Sequence, residues 1–475
     1  MRRAFAGAVI GLCATVLSGA EPLVWSQFRG PAGSGIADGQ KPPVDVGPTT
    51  NVKWKVPVPG GSSSPIVAGD LLVLTAFEDN KLYTIAYTRA DGKEAWRAQA
   101  PAKQIEPYHK VEGSPAASTP ATDGTRIVSY FGSCGLFCYD LSGKQLWTYP
   151  LPAAATEFDF GSGVSPVLAD GLVVLVRDER KHSKIFAVDV ETGRLKWEKA
   201  RISTCSFSTP VVCDTPAGKQ VAAPGYGRMI GYDLKTGEEK WYVIGMPAAV
   251  CASPVVVGDT LYFAAWATGE DFKPPSFHEL IKEAGDEARG YVTKEGLEKT
   301  VAKGLFDSFD LDHDGKLTRA EWDTLLAFVS TSKNSAFALK LGGTGDVTRS
   351  HVTWRQTKGL PYVPSGIAYQ GQFVLVKDGG LVTAYDLKTG KGIYVQERAV
   401  AAGRYYASPV AANGHIYFTA LDDGAITVLK AGTDTPKVVA ENPKFGERVA
   451  ATPAIADDTL YVRTAGHLYA FAEKH

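Results

Sequence analysis

The chain has 475 residues, 44% of them hydrophobic, and its 50 basic and 51 acidic residues leave a formal net charge of −1. A balance so close to neutral excludes the general electrostatic attraction that would bring nucleic acid or an anionic membrane surface to the protein. The 50 glycines and 28 prolines fit many short strands joined by turns.

Residues 1–20 read as an export signal. Arg2 and Arg3 supply the positive start, residues 4–17 are mostly apolar, and Ser18-Gly19-Ala20 places small side chains before a cut ahead of Glu21. The stretch is too short for a spanning helix, which needs ~20 apolar residues. No transmembrane segment is therefore expected; the alternative is a retained membrane anchor. Cys13 follows Leu12, where a lipoprotein signal would have Gly or Ala. The mature chain is expected to be soluble and periplasmic or secreted. It keeps Cys134, Cys138, Cys205, Cys213 and Cys251, an odd set with no C-x-x-C pair, so at least one thiol lacks a partner within the chain. Cys205 and Cys251 occupy similar points of neighbouring repeats and are the candidate bridge.

A Ser/Thr-Pro pair recurs at Ser64-Pro65, Thr119-Pro120, Ser165-Pro166, Thr209-Pro210, Ser253-Pro254, Ser408-Pro409 and Thr452-Pro453, with Ser365-Gly366 as a degenerate copy. Three of the spacings are 44 residues. After each pair come an apolar strand, a turn and a second strand, as in Val255-Val256-Val257, Gly258-Asp259 and Leu261-Tyr262-Phe263. A further strand ends in Asp, followed by Thr-Gly and an aromatic residue: Asp189, Thr192-Gly193 and Trp197; Asp233, Thr236-Gly237 and Trp241; Asp386, Thr389-Gly390 and Tyr394. Gly supplies the positive φ of a tight turn, and Asp and Thr can hydrogen-bond the turn backbone. Trp is a large apolar plate able to pack between repeats. Four short strands per repeat of ~44 residues is a propeller period.

The Asp-x-x-Thr-Gly turn leading to Trp resembles the tryptophan-docking motif of pyrroloquinoline-quinone (PQQ) propellers, with Trp96, Trp147, Trp197, Trp241 and Trp354 at the Trp position. Trp25-Ser26-Gln27-Phe28-Arg29-Gly30-Pro31 is similar to the start of many exported bacterial members of that PQQ-like superfamily. The resemblance covers nearly all of the mature chain outside one insert. It implies an all-β fold, an eight-bladed β-propeller over residues 21–268 and 334–475. Counting gives seven blades and a partial one from Thr452 to near Phe471. Asn51-Val52-Lys53-Trp54-Lys55-Val56 reads as its missing strand, so the N-terminal strand is expected to close the ring and remove exposed edges.

Between Pro254 and Gly366 the chain carries 68 residues more than one repeat, and residues 269–333 read as a small α-helical EF-hand insertion. Phe277, Leu280, Ile281 and Ala284 share one helical face, as do Trp322, Leu325, Leu326 and Val329. Between them lies Asp310-Leu311-Asp312-His313-Asp314-Gly315-Lys316-Leu317-Thr318-Arg319-Ala320-Glu321, which matches the EF-hand loop at every diagnostic position. Ca²⁺ is a hard ion that takes several oxygens. Asp310, Asp312, Asp314 and Glu321 offer carboxylates, Lys316 its backbone carbonyl, and Thr318 an oxygen directly or through water. Gly315 permits the sharp turn, and Leu317 would bridge to a partner loop. A degenerate first loop over 277–296 is its candidate partner through Val292. There Gly285, Arg289 and Gly296 fall where carboxylates should stand.

The loops before each Ser/Thr-Pro pair are expected to converge near the propeller axis. They carry Tyr108, His109, Glu112, Glu157, Asp159, Phe160, Phe207, Tyr362, Arg404, Tyr405, Tyr406, Glu447 and Arg448, a mixture able to bind a saccharide, a peptide or a protein loop. Arg177 to His182 reads as an exposed hairpin tip. No G-x-S-x-G, H-E-x-x-H or P-loop pattern occurs. The alcohol-oxidising PQQ enzymes often carry adjacent cysteines, and none occur here, so PQQ is not expected as a cofactor. The sequence points to an exported calcium-binding propeller acting as a binding or scaffold protein, with a PQQ-dependent oxidoreductase of alcohols or sugars as the alternative.

Overall fold

The computed structural model describes residues 25–204, 206–270 and 273–473; the expected export signal lies outside them. Each Ser/Thr-Pro step leads into an antiparallel meander. In the first, Ile66–Ala68, Leu71–Glu78, Lys81–Thr88 and Glu94–Ala100 pair in sequence order. Seven such sheets follow one another along the chain. An eighth joins Ala454–Ala456, Thr459–Arg463 and His467–Phe471 to Val52–Pro57 from near the N-terminus. The fold is a mostly β, eight-bladed propeller. The outermost strands differ from the buried inner ones: Leu195–Ala200 exposes every residue except Trp197. Its lysines and glutamate guard an edge whose unpaired backbone groups could template another chain.

The turn before each outer strand aims one tryptophan. Asp189 Oδ1 accepts hydrogen bonds from Thr192 N and Thr192 Oγ1, both at 2.9 Å. A bulge follows, so that Ala187 faces Trp197 while Val188 faces Leu195. The Trp197 ring then packs on the next blade's turn, where a Cβ on Gly237 would stand 2.4 Å from it. Its Nε1 donates to Leu234 O at 2.9 Å. The same arrangement sets Trp96 on Gly143, Trp147 on Gly193 and Trp354 on Gly390. Trp54, which the sequence reading did not single out, does likewise on Gly92 and docks the eighth blade on the first. Trp241 departs from the pattern: its Nε1 donates to Gln220 within its own blade at 2.8 Å. The blade that follows carries the insertion, and a Gly345–Asp346 strand from it adds in parallel beside Trp241 and Tyr242.

The insertion leaves the fifth blade between Thr260–Ala265 and Ser335–Lys340, which pair with each other up to Ala265 and Ser335. It holds α1 (Phe277–Ala284), α2 (Lys294–Leu297), α3 (Phe306–Phe309) and α4 (Arg319–Val329). Reciprocal capping boxes, Ser276 with Glu279 and Thr318 with Glu321, start α1 and α4. Val292 and Leu317 exchange both backbone hydrogen bonds at 2.9 Å, which ties the two loops side by side. The apolar core of the insertion also takes in Ile202, Tyr226 and Ile244 of the propeller, so the helices are seated on the third and fourth blades. Among the described residues Cys134, Cys138, Cys213 and Cys251 form no disulfide with one another; Cys205, the expected partner of Cys251, lies outside the described residues.

Candidate functional site

Two oxygen-rich sites stand out. In the insertion, ligand atoms of Asp310, Asp312 and Asp314 lie within 4.8 Å of one another. The loop's own backbone shapes this cluster: Asp310 Oδ2 accepts from Gly315 N at 3.0 Å and Asp314 Oδ1 from Lys316 N at 2.8 Å. Asp310 is buried. Burial first, and then the Glu321, Asp312 and Asp314 charges, hold its carboxyl above the ordinary range against the Gly315 N–H. Crowded carboxylates of this kind fit a hard cation, and their oxygens suit calcium. Glu321 borders the cluster without being one of its three members. Its Oε2 accepts from Thr318 N and Oγ1 at 2.8 and 2.7 Å, and its Oε1 accepts from Leu311 N at 2.7 Å. To act as a ligand it would have to leave its capping box. In the parallel loop Asp286 accepts from Thr293 N and Oγ1 instead.

The second site is the channel, a cavity of about 850 Å³. Its floor is built by the repeated Ser/Thr residues. Ser64 N donates to Thr119 Oγ1, Thr119 N to Ser165 Oγ, and Ser165 N to Thr209 Oγ1, each at 3.0 Å. Ser253 N donates to Ser365 Oγ at 2.9 Å. Ser365 N to Ser408 Oγ, Ser408 N to Thr452 Oγ1 and Thr452 N back to Ser64 Oγ follow at 3.0 Å each. Seven links of an eight-membered circle are thus formed. At the remaining step Ser253 Oγ is buried without a partner among the described residues. The N-terminal segment crosses the axis beneath. Trp25 O accepts from Val67 N, Ser26 O from Thr122 N and Gly35 O from Ala411 N, all at 2.8 Å, and Phe28 reaches the cavity lining.

The mouth is aromatic and charged. Phe158 is 64% exposed, and Trp266 and Tyr362 are 40% exposed, with Trp266 and Tyr362 in edge contact at 5.8 Å. Phe160 packs on Phe207 and His109 at 5.9 and 5.7 Å. The charges are tied to one another across the opening. Arg404 pairs with Asp422 at 2.6 Å and with Glu112 at 3.2 Å. Tyr406 OH also donates to Glu112, and Arg448 holds Val111 O.

Of the loop residues expected at the axis, His109, Glu112, Phe160, Phe207, Tyr362, Arg404 and Tyr406 line the cavity. Others turn away. Tyr405 is buried, with its hydroxyl on Ala401 O. Glu157 accepts from Ser308 of the insertion at 2.9 Å. Asp159 pairs with Arg180, and Glu447 with His467. Only the end of the polar run from Arg177 is an exposed hairpin tip: Lys181 and His182 are exposed, whereas Arg177, Asp178 and Glu179 are buried, Arg177 paired with Glu179 and Asp178 with Arg201. Sequence reasoning missed Phe28, Phe158 and Trp266, and it took the Ser/Thr of each pair as punctuation although its recurrence was the signal.

The family described as outer membrane protein assembly factor BamB matches residues 85–269 and 344–474. The protein of that name from Burkholderia pseudomallei strain K96243 is 26% identical over 208 residues, 42% of this chain and 48% of that protein. The match thus spans about half the length of that relative. The crystal structure of BamB from Moraxella catarrhalis superposes with a TM-score of 0.54 at 13% identity, covering 89% of this chain and 98% of that one. Quinohemoprotein alcohol dehydrogenase from Comamonas testosteroni gives 0.54 at 10% identity, covering 95% and 81%. At such identities the two structures bear on the fold alone.

Proposed function

The chain belongs to the family described as outer membrane protein assembly factor BamB, and on that premise we propose an exported, non-catalytic binding or scaffold propeller that takes its ligand or partner at the channel mouth and holds calcium in its insertion. The observation that carries this reading is the channel itself. An 850 Å³ cavity opens through exposed Phe158, Trp266 and Tyr362, while Arg404, Glu112 and Asp422 are engaged with one another. Exposed aromatics on rigid loops suit recognition of a protein, peptide or saccharide. Arg404, already held by two carboxylates, is poorly placed to receive the acids of PQQ, which is not proposed as a cofactor.

Calcium would be held by Asp310, Asp312, Asp314, the Lys316 carbonyl, Thr318 and Glu321, and would neutralise the crowded carboxylates. The 269–333 segment is read as a separate EF-hand unit between propeller segments 21–268 and 334–475. Val52–Pro57 is read as the strand that closes the ring. Residues 1–20 are read as a cleaved signal that delivers the chain to the periplasm or beyond. No helix among the described residues is long and apolar enough to cross a membrane.

Two arms test the proposal. A photo-cross-linking residue at Phe158 in intact cells is expected to give discrete adducts that the same residue at Leu195, on an outer strand, does not. Identical adducts from both positions would argue against the mouth. Reconstitution with PQQ and Ca²⁺ is expected to give no dye-linked oxidation of alcohols and sugars. Turnover would replace this reading with the oxidoreductase.

A further inference from the structure

Seven of the eight hydroxyls in the floor circle accept a backbone N–H, which leaves each of them its own proton to donate. Among the described residues no hydrogen bond uses the protons of Ser64, Thr119, Ser165, Thr209, Ser365, Ser408 or Thr452, and all seven line the cavity. Each of these residues is buried. Buried polar groups almost always have a partner, so a ring of donors facing a cavity calls for an acceptor inside it.

The charge beside the ring points the same way. Among the described residues four arginines are buried: Arg29, Arg177, Arg201 and Arg463. Arg177 pairs with Glu179 and Arg201 with Asp178. Arg29 and Arg463 have no carboxylate partner among the described residues. Arg29 Nη2 donates to Gly366 O at 2.7 Å, beside ring member Ser365, and its Nε and Nη1 have no partner. Arg463 Nη1 donates to Ser63 Oγ at 2.7 Å, beside ring member Ser64, and its Nε has none. Burial lowers them to about 9 and about 10, so both stay cationic at neutral pH. Unpaired buried charge is costly. Among the lining residues Glu112 is offset by Arg404, and Asp378 accepts from Tyr405 N at 3.0 Å. Two buried cations without a carboxylate partner therefore stand behind the ring residues, bonded to Gly366 O and to Ser63, while Asp378 is the one lining carboxylate without a cation partner among the described residues.

We propose that the channel floor binds an oxyanion, the carboxylate or phosphate group of a small ligand whose apolar body rests on the aromatic wall above. The ring hydroxyls donate to its oxygens, and Arg29 and Arg463 supply the positive field. The cavity volume falls in the range of small-ligand sites. This deepens the reading of the channel as the binding site and rests on it.

The test is calorimetry on the full mature chain at fixed ionic strength with benzoate, inorganic phosphate and benzamide. Saturable binding of benzoate or phosphate, one per chain, is expected, with benzamide at least tenfold weaker. The better of the two anions identifies the source as carboxylate or phosphate. The double variant Thr119→Val with Ser408→Ala should weaken the anion at least tenfold, while Thr119→Ser, which keeps the hydroxyl, should bind like wild type. No anion binding by the wild type, equal binding of benzamide, or unchanged affinity in a folded double variant would overturn the proposal. Cross-linking from Phe158 with no anion uptake would remove only the oxyanion and leave the mouth as a binding site.

Discussion

The channel floor and the acidic loop are both made of short oxygen-bearing side chains, yet they are encoded at opposite ranges. Asp310, Asp312 and Asp314 come together within five residues. The floor takes one residue from each blade, and the bond from Thr452 N to Ser64 Oγ spans 388 residues. The loop can therefore be altered without disturbing the propeller, whereas anything that shifts one blade against the next shifts the floor. Burial follows the same division. The floor lies deep among the blades, while Asp312 and Asp314 are exposed, as a site in exchange with solvent calcium would be.

The sharpest way to break the comparison is at a blade contact. Gly237 sits at φ +71 with Trp197 against it. In Gly237→Ala the new Cβ would both strain the backbone and displace the ring. A loss of about 3 kcal/mol or more is expected from strain and lost packing together, read by denaturant unfolding. Oxyanion binding should weaken with it while calcium binding persists.

A comparable effect should come from beneath the channel loops. Glu106 is 2% exposed, and its Oε2 accepts from Ser162 at 2.7 Å. Burial pushes its carboxyl from 4.5 up to about 7, with the Ser162 hydroxyl partly opposing. Because the folded pKa lies above the unfolded one, its contribution is fully present below pH 4.5 and is lost as pH rises through 7. Glu106→Gln should remove that loss, on the order of 3 kcal/mol at pH 8 relative to pH 4. Equal pH slopes for the variant and wild type would show that Glu106 is ionised in the fold.

The smallest effect should follow removal of residues 269–333 and their replacement by a short Gly-Ser bridge. Ala265 and Ser335 are paired neighbours, so the hairpin can close over the gap. The lost contacts with Ile202, Tyr226 and Ile244 should lower the melting temperature by a few degrees without abolishing a cooperative β-sheet transition. Loss of that transition would make the helices an integral part of the ring.

The repeat was legible because its marks are local: a Ser/Thr-Pro step and a Thr-Gly turn before Trp can each be read within a dozen residues. What those marks do was not, since seven of the floor hydroxyls receive their N–H from another blade and every docking Trp except Trp241 finds its glycine on the next one. The same limit explains the mouth. The pairing of Arg404 could not be read because Glu112 lies 292 residues from it. The buried pair Arg201 and Asp178 is separated by 23 residues, which made Asp178 look like part of a solvated tip. The 310–321 loop suffered least, because nearly all its donors are neighbours. Even there Glu321 is drawn to Thr318, three residues away, by a cap that the metal-ligand pattern does not reveal.

The central claim, that a cation-holding loop is mounted on a binding propeller, is tested most directly by calcium calorimetry on wild type and Glu321→Gln. The wild type should show one binding event, with a dissociation constant that could be as weak as ~10⁻⁴–10⁻³ M for an extracellular module. Glu321→Gln should lose most of that affinity while the cooperative β-sheet melt of its propeller in calcium-free buffer persists. Equal calcium binding by both proteins, or none by either, would contradict the account.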